Sequence, residues 1–124
     1  MAFGKGMTYH GAMPRPRTPD WLDRRSQALK SLVAATLRAH PERLAIGRDN
    51  LNRWREADGT WGRHTVYMRV WERAIEEGVD ACCVLLEDTS EATQALRQAA
   101  PFAGVVPELE RRQLLARWEL GHEA

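Results

Sequence analysis

Four histidines, two cysteines and a run of arginines are the side chains of this sequence whose chemistry reaches beyond packing. His10, His40, His64 and His122 are scattered, and none has a second His or Cys at the i, i+4 or paired spacing of a metal site. Cys82 and Cys83 are adjacent and lie in the most apolar stretch of the chain. A nucleophilic thiolate needs an activating base and some exposure, and that stretch offers neither. Neighbours on a helix point about 100° apart, so the two do not readily bridge each other. Reduced, packed thiols are the expectation. Ser90 reads as a helix-start residue, and Gly4-Lys5-Gly6 lacks the flanking strand and helix of a phosphate-cradling loop. Without a cluster of ionisable groups announcing a pocket, no catalytic residue, cofactor or metal is expected, and the chain reads as a non-enzyme.

The charge pattern carries more. The net charge of +1 hides an asymmetry: residues 1–73 hold 14 Lys and Arg against 7 Asp and Glu, and residues 74–124 hold 4 against 10. Either the halves pack together and neutralise each other, or a basic face meets a polyanion while an acidic face meets a basic partner. Arg24, Arg25, Arg43, Arg48, Arg53 and Arg55 supply the polyanion surface, which admits a DNA-binding regulator acting through arginine-rich helices. A helix-turn-helix over residues 81–98 is the weaker nucleic-acid reading, because its second helix brings Glu91 and one cation, Arg97. Trp21, near a helix start, and Trp61, in a loop, are candidate anchors for a protein partner. Unpaired cysteines point to a reducing, cytoplasmic setting. No apolar run approaches the ~20 residues that span a bilayer, so no membrane is expected. Assembly with a second copy is left open.

These residues need a scaffold, and the periodicity describes an all-α one. A length of 124 residues suits one domain. Residues 1–17, rich in Gly and Pro and without a hydrophobic period, read as a flexible tail, which leaves residues 18–124 as a single helical domain. Thr18-Pro19-Asp20 opens a first helix that carries Leu22, Leu29, Leu32, Val33 and Leu37 as far as Ala39. Pro41-Glu42-Arg43 opens a second, with Leu44, Gly47, Leu51 and Trp54 on one face, stopping at Asp58-Gly59. Gly47 within that stripe implies close approach of a neighbouring backbone. A third helix, about residues 63–77, turns Tyr67, Val70, Trp71, Ala74 and Ile75 inward and ends at Gly78. A fourth, residues 81–87, is apolar nearly all round and should be buried. Asp88-Thr89-Ser90-Glu91 resembles a capping box before a fifth helix through Leu96. A sixth runs from Pro107 to Leu120, its apolar side Leu114, Leu115 and Trp118. No segment alternates as a strand does. The expected architecture is a compact bundle of about five to six helices.

Between the last two helices lies Pro101-Phe102-Ala103-Gly104-Val105-Val106-Pro107, a junction far more apolar than a surface loop. Pro101 should stop the fifth helix near Ala99, Gly104 can take a positive φ, and Pro107 suits a first helical position. Phe102 should therefore plug into the core and fix the angle between the flanking helices. Gly47, Trp54, Trp71, Leu96, Pro101, Phe102, Gly104 and Pro107 are the expected structural determinants.

Asn50-Leu51-Asn52-Arg53-Trp54, Val70-Trp71-Glu72-Arg73, Leu96-Arg97-Gln98, Pro101-Phe102-Ala103-Gly104 and Glu110-Arg111-Arg112 together resemble a group of small bacterial all-helical proteins that are antitoxin-like partners in two-gene modules. The resemblance covers about residues 21–118 and is most specific at Leu-Arg-Gln followed by Pro-Phe-Ala-Gly. It departs at Ala99-Ala100, where serines would be expected before the proline. The resemblance implies a non-enzymatic protein that binds and neutralises a co-encoded toxin. On that reading Glu76, Glu77, Asp80, Glu87 and Asp88 are the acidic contacts to the partner.

Overall fold

Thr18 begins the first helix in the manner its hydroxyl allows. Its Oγ1 accepts the N–H of Trp21 at 3.1 Å, Pro19 follows at the first helical position, and α1 runs Pro19–Ala39. The computed structural model describes residues 17–58 and 65–121. The expected tail, apart from Arg17, and the loop carrying Trp61 lie outside the described residues. His40 caps the end of α1, its N–H bonded to the Thr36 carbonyl at 2.8 Å. A 3₁₀ turn, Pro41–Arg43, leads into α2, Leu44–Asp58. After it come α3, Thr65–Glu77, and α4, Val79–Glu87. A second 3₁₀ turn, Glu91–Thr93, opens the short α5, Gln94–Gln98, and α6 spans Glu108–Glu119. The described residues form an all-α bundle with no strand.

The punctuation works as chemistry demands, with small corrections. Gly78 takes φ 120°, ends α3 and serves as N-cap of α4, so α4 starts at Val79 and not after Asp80. The expected capping box at residues 88–91 does not form. Asp88 Oδ1 instead accepts the Ser90 N–H at 2.8 Å, a local turn that competes with helix initiation, and Ser90 caps a 3₁₀ turn without a side-chain bond. Gly104 sits at φ 95°. Pro107 is the N-cap of α6, one position earlier than expected.

The main core joins Ala34 and Leu37 of α1, Leu51 of α2, Met68, Trp71, Ala74 and Ile75 of α3, and Cys82, Cys83 and Leu86 of α4. Phe102 and Val105 enter it from the junction. The most extensive packing is α1 on α4, followed by α3 on α4. A second, smaller cluster lies where α6 returns to α1: Trp21 meets Trp118 edge to face at 5.8 Å, with Leu114 beside them.

Four inward expectations fail: Leu22, expected on the core-facing stripe of α1, is 39% exposed, and Trp54, Val70 and Val84 follow. Trp54 is 37% exposed although it continues the Gly47–Leu51 stripe, because α2 runs past the core it packs on. Val70 is likewise exposed, lying on the flank of α3 away from Trp71. In α4 only Cys82, Cys83 and Leu86 are buried, while Val84 is 68% exposed on the opposite side.

Candidate functional site

The residues with the most elaborate surroundings belong to a lock between α2 and the Pro-Phe-Gly junction. Arg43, the last residue of the 3₁₀ turn, and Gly47 and Asn50 of α2 recur at i, i+4 and i+7. Asn50 Nδ2 donates to the carbonyls of Pro101 at 2.9 Å and Ala103 at 3.0 Å, and Arg43 Nη1 reaches the Val105 carbonyl at 3.3 Å. Between these donors Gly47 leaves a notch for the ring of Phe102. A Cβ at Gly47 would stand 2.6 Å from Phe102 Cε1 and 2.9 Å from Cδ1. The close approach expected at Gly47 is therefore by an aromatic ring and not by a backbone. The other side of that ring meets Trp71 edge to face at 5.4 Å, and the Trp71 indole N–H donates to the Leu96 carbonyl at 2.8 Å. Arg53 holds the Asn50 Oδ1, which fixes which end of the amide faces the junction. A buried loop carries carbonyls that need donors, and α2 supplies them. Phe102 is 4% exposed and Pro101 and Trp71 are fully buried around it.

Of the six arginines expected to form a polyanion face, five make contacts within the chain. Arg24 pairs with Asp20 at 3.1 Å, Arg25 lies over the Trp21 ring at 5.3 Å, and Arg55 pairs with Glu72. Arg43 and Arg53 serve the lock. Arg48 is exposed beside a small groove of about 150 Å³ that it shares with Glu72 and Glu76. Trp21, expected as an exposed anchor, is 2% exposed because α6 folds back over it. The indole N–H groups of Trp21 and Trp118 and the Nε of Arg25 are buried there with no acceptor among the described residues.

The acidic residues fall into two groups. Glu87 forms a bidentate pair with Arg38 of α1 at 2.6 and 2.7 Å, which holds its carboxyl below the usual range. Asp88 is held down by the Ser90 N–H and hydroxyl, and Glu77 pairs with Arg73 at 3.1 Å. These three have partners inside the chain. Glu76 and Asp80 are exposed at the corner where α3 turns into α4. Asp80 also sits in the first turn of α4, where a carboxylate complements the helix dipole. One turn beyond it Val84 faces outward, so Asp80, Val84 and Glu87 make an exposed stripe at helical spacing.

The thiols are inert by placement. Cys82 and Cys83 are fully buried and unbridged, and burial pushes the Cys82 thiol up to about 12. Cys83 leans on the Ala34 carbonyl at 3.5 Å. Among the described residues no group of three or more His, Cys, Asp or Glu is placed to hold a metal, and no helix is long and apolar enough to cross a membrane.

Sequence reasoning missed Asn50 and Arg97. An asparagine three residues past a helical glycine, facing inward, is a signal for backbone carbonyls arriving from elsewhere. Arg97 is 9% exposed and donates to the Ser90 carbonyl at 3.1 Å and to the Thr93 hydroxyl, so it ties α5 to its own leading turn. Comparison with protein-family models, with curated proteins and with solved structures gave no match.

Proposed function

We propose that this chain is a non-enzymatic protein-binding protein of the antitoxin-like kind, which docks a basic, co-encoded partner on the corner formed by the end of α3 and the outer face of α4. The observation that carries this reading is the exposed Asp80–Val84 stripe, flanked by Glu76. It combines exposed negative charge with an apolar side chain that is 68% exposed, the two ingredients of a protein contact. Glu87 and Glu77 extend the same acidic field even though each has an arginine beside it. Behind the stripe, α4 is anchored by three fully buried side chains, so the surface is presented on a rigid element.

The alternative, a DNA-binding regulator, draws less support from the same geometry, because most of the arginines it needs hold α1, α2 and the junction in place. Co-expression with the product of the adjoining open reading frame tests the primary reading. A complex that co-purifies through size exclusion is expected, and separate elution of the two proteins overturns it. Affinity for DNA that falls steeply with salt and is lost in Arg48→Glu would favour the alternative.

A further inference from the structure

Only Leu114 and Trp118 of α6 are buried, and both pack on α1 against Trp21, Leu29 and Leu32. That cluster is separate from the main core. A cavity of about 240 Å³ lies between the two, lined by Leu29 of the smaller cluster, by Val33 and Phe102 of the main one and by Arg111 at the root of α6. Among the described residues one side-chain bond reaches from α6 to another segment, the Arg17–Glu119 pair. The pairs of Glu108 with Arg111 and Arg112 are internal to the helix. The grip of α2 on the junction ends at the Val105 carbonyl, which leaves Val106 and Pro107 as the hinge of α6.

The contact of α6 with α1 also holds the buried side-chain donors that lack an acceptor among the described residues: Trp21 Nε1, Trp118 Nε1 and Arg25 Nε. Arg25 lies over the Trp21 ring at 5.3 Å, so the three belong to one contact. Folded chains leave few such groups unpaired, because each gives up its water for nothing. The main core has no such deficit at its own indole, since Trp71 donates to the Leu96 carbonyl at 2.8 Å. Apolar burial closes α6, and three desolvated donors oppose it. Lifting α6 returns all three to water and leaves the main core packed. We propose that α6 is a cover that swings off α1 about Val106 and Pro107 as one unit, uncovering the Trp21–Leu29–Leu32 face of α1. The ring of Trp21, expected at the surface, is presented there only in the open form. The device is independent of the α3–α4 corner and stands or falls separately from partner docking.

Native-state hydrogen exchange on the full chain, followed by NMR at amide and indole N–H groups, tests the cover. The amides of residues 112–119 and the indoles of Trp21 and Trp118 should exchange together. Their rate should exceed that of the α3 and α4 amides by about a hundredfold or more and respond little to urea, as in a sub-global opening. The Trp71 indole should stay with the slow set. Arg25→Lys puts a methylene where Nε stands and keeps a cation over Trp21; it should slow the fast set by about fivefold or more. Protection of α6 and of both indoles equal to that of α3 and α4 would overturn the cover. So would fast α6 amides beside slow Trp21 and Trp118 indoles, which is fraying and not release. An unchanged or faster rate in Arg25→Lys would remove the unpaired donors as the cause.

Discussion

Gly47 shows how much one missing methyl group decides. Alanine there would gain about 1 kcal/mol in helix propensity, yet its Cβ would press on a ring that Trp71 holds from the other side. Overpacking of this kind costs about 1–3 kcal/mol, so Gly47→Ala should lower stability in denaturant titration. In a Phe102→Leu background the same change should become neutral or favourable, because the obstructing ring is gone; simple additivity of the two substitutions would contradict the contact. At the other end of the core, Cys82 and Cys83 should resist an aromatic disulfide reagent at pH 8 and both react once the chain is unfolded. Burial raises both thiol pKa values, so little thiolate is present. A fast-reacting thiol in the native protein would mean that α4 opens readily.

At the scale of elements, the junction is a segment whose carbonyls are satisfied from α2. Asn50→Ala removes the donor to the Pro101 and Ala103 carbonyls and should cost about 1–3 kcal/mol, read from the urea midpoint. An undiminished midpoint would show that water replaces the amide at no cost. The start of α6 gives a pH signature. Glu108 accepts from Arg111 and Arg112, which hold its carboxyl down to about 2. A carboxyl depressed on folding stabilises fully above its unfolded pKa of about 4.3. That contribution fades as pH falls toward 2, so Glu108→Gln should flatten the acid limb of the stability curve over that interval. The same elements show what periodicity can and cannot see. Pro101, Gly104 and Phe102 were legible because proline and glycine constrain the backbone locally, and an apolar junction has to go inward. Trp21 and Trp54 exchanged their expected places because burial depends on what lies opposite. Nothing local says that α6 returns over Trp21, or that α2 outruns the core beneath Trp54. The resemblance motifs around Asn50 and Phe102 belong to one physical unit, although they lie 52 residues apart in the sequence.

For the whole molecule, the charge asymmetry divides unevenly between structure and surface. Much of the basic half is used internally, in Arg55–Glu72 and the arginines of the lock, and Arg38–Glu87 and Arg17–Glu119 pair charge across the two halves. What lies outward at the α3–α4 corner is acidic and partly apolar, the complement of the basic partner proposed above. The exposure of Glu76 and Asp80 follows from their charge; that of Val84 does not, because an apolar helix gives no sign of which side meets solvent. The decisive measurement is calorimetric titration of the adjoining gene's product into the wild-type chain and into Asp80→Lys/Val84→Asp, with Arg48→Glu as the control. Partner docking on α4 requires affinity to fall by about a hundredfold or more in the α4 variant, the loss expected for two central interface contacts, and to hold in the control. Equal binding by the wild type and the α4 variant, or loss only in Arg48→Glu, would contradict it.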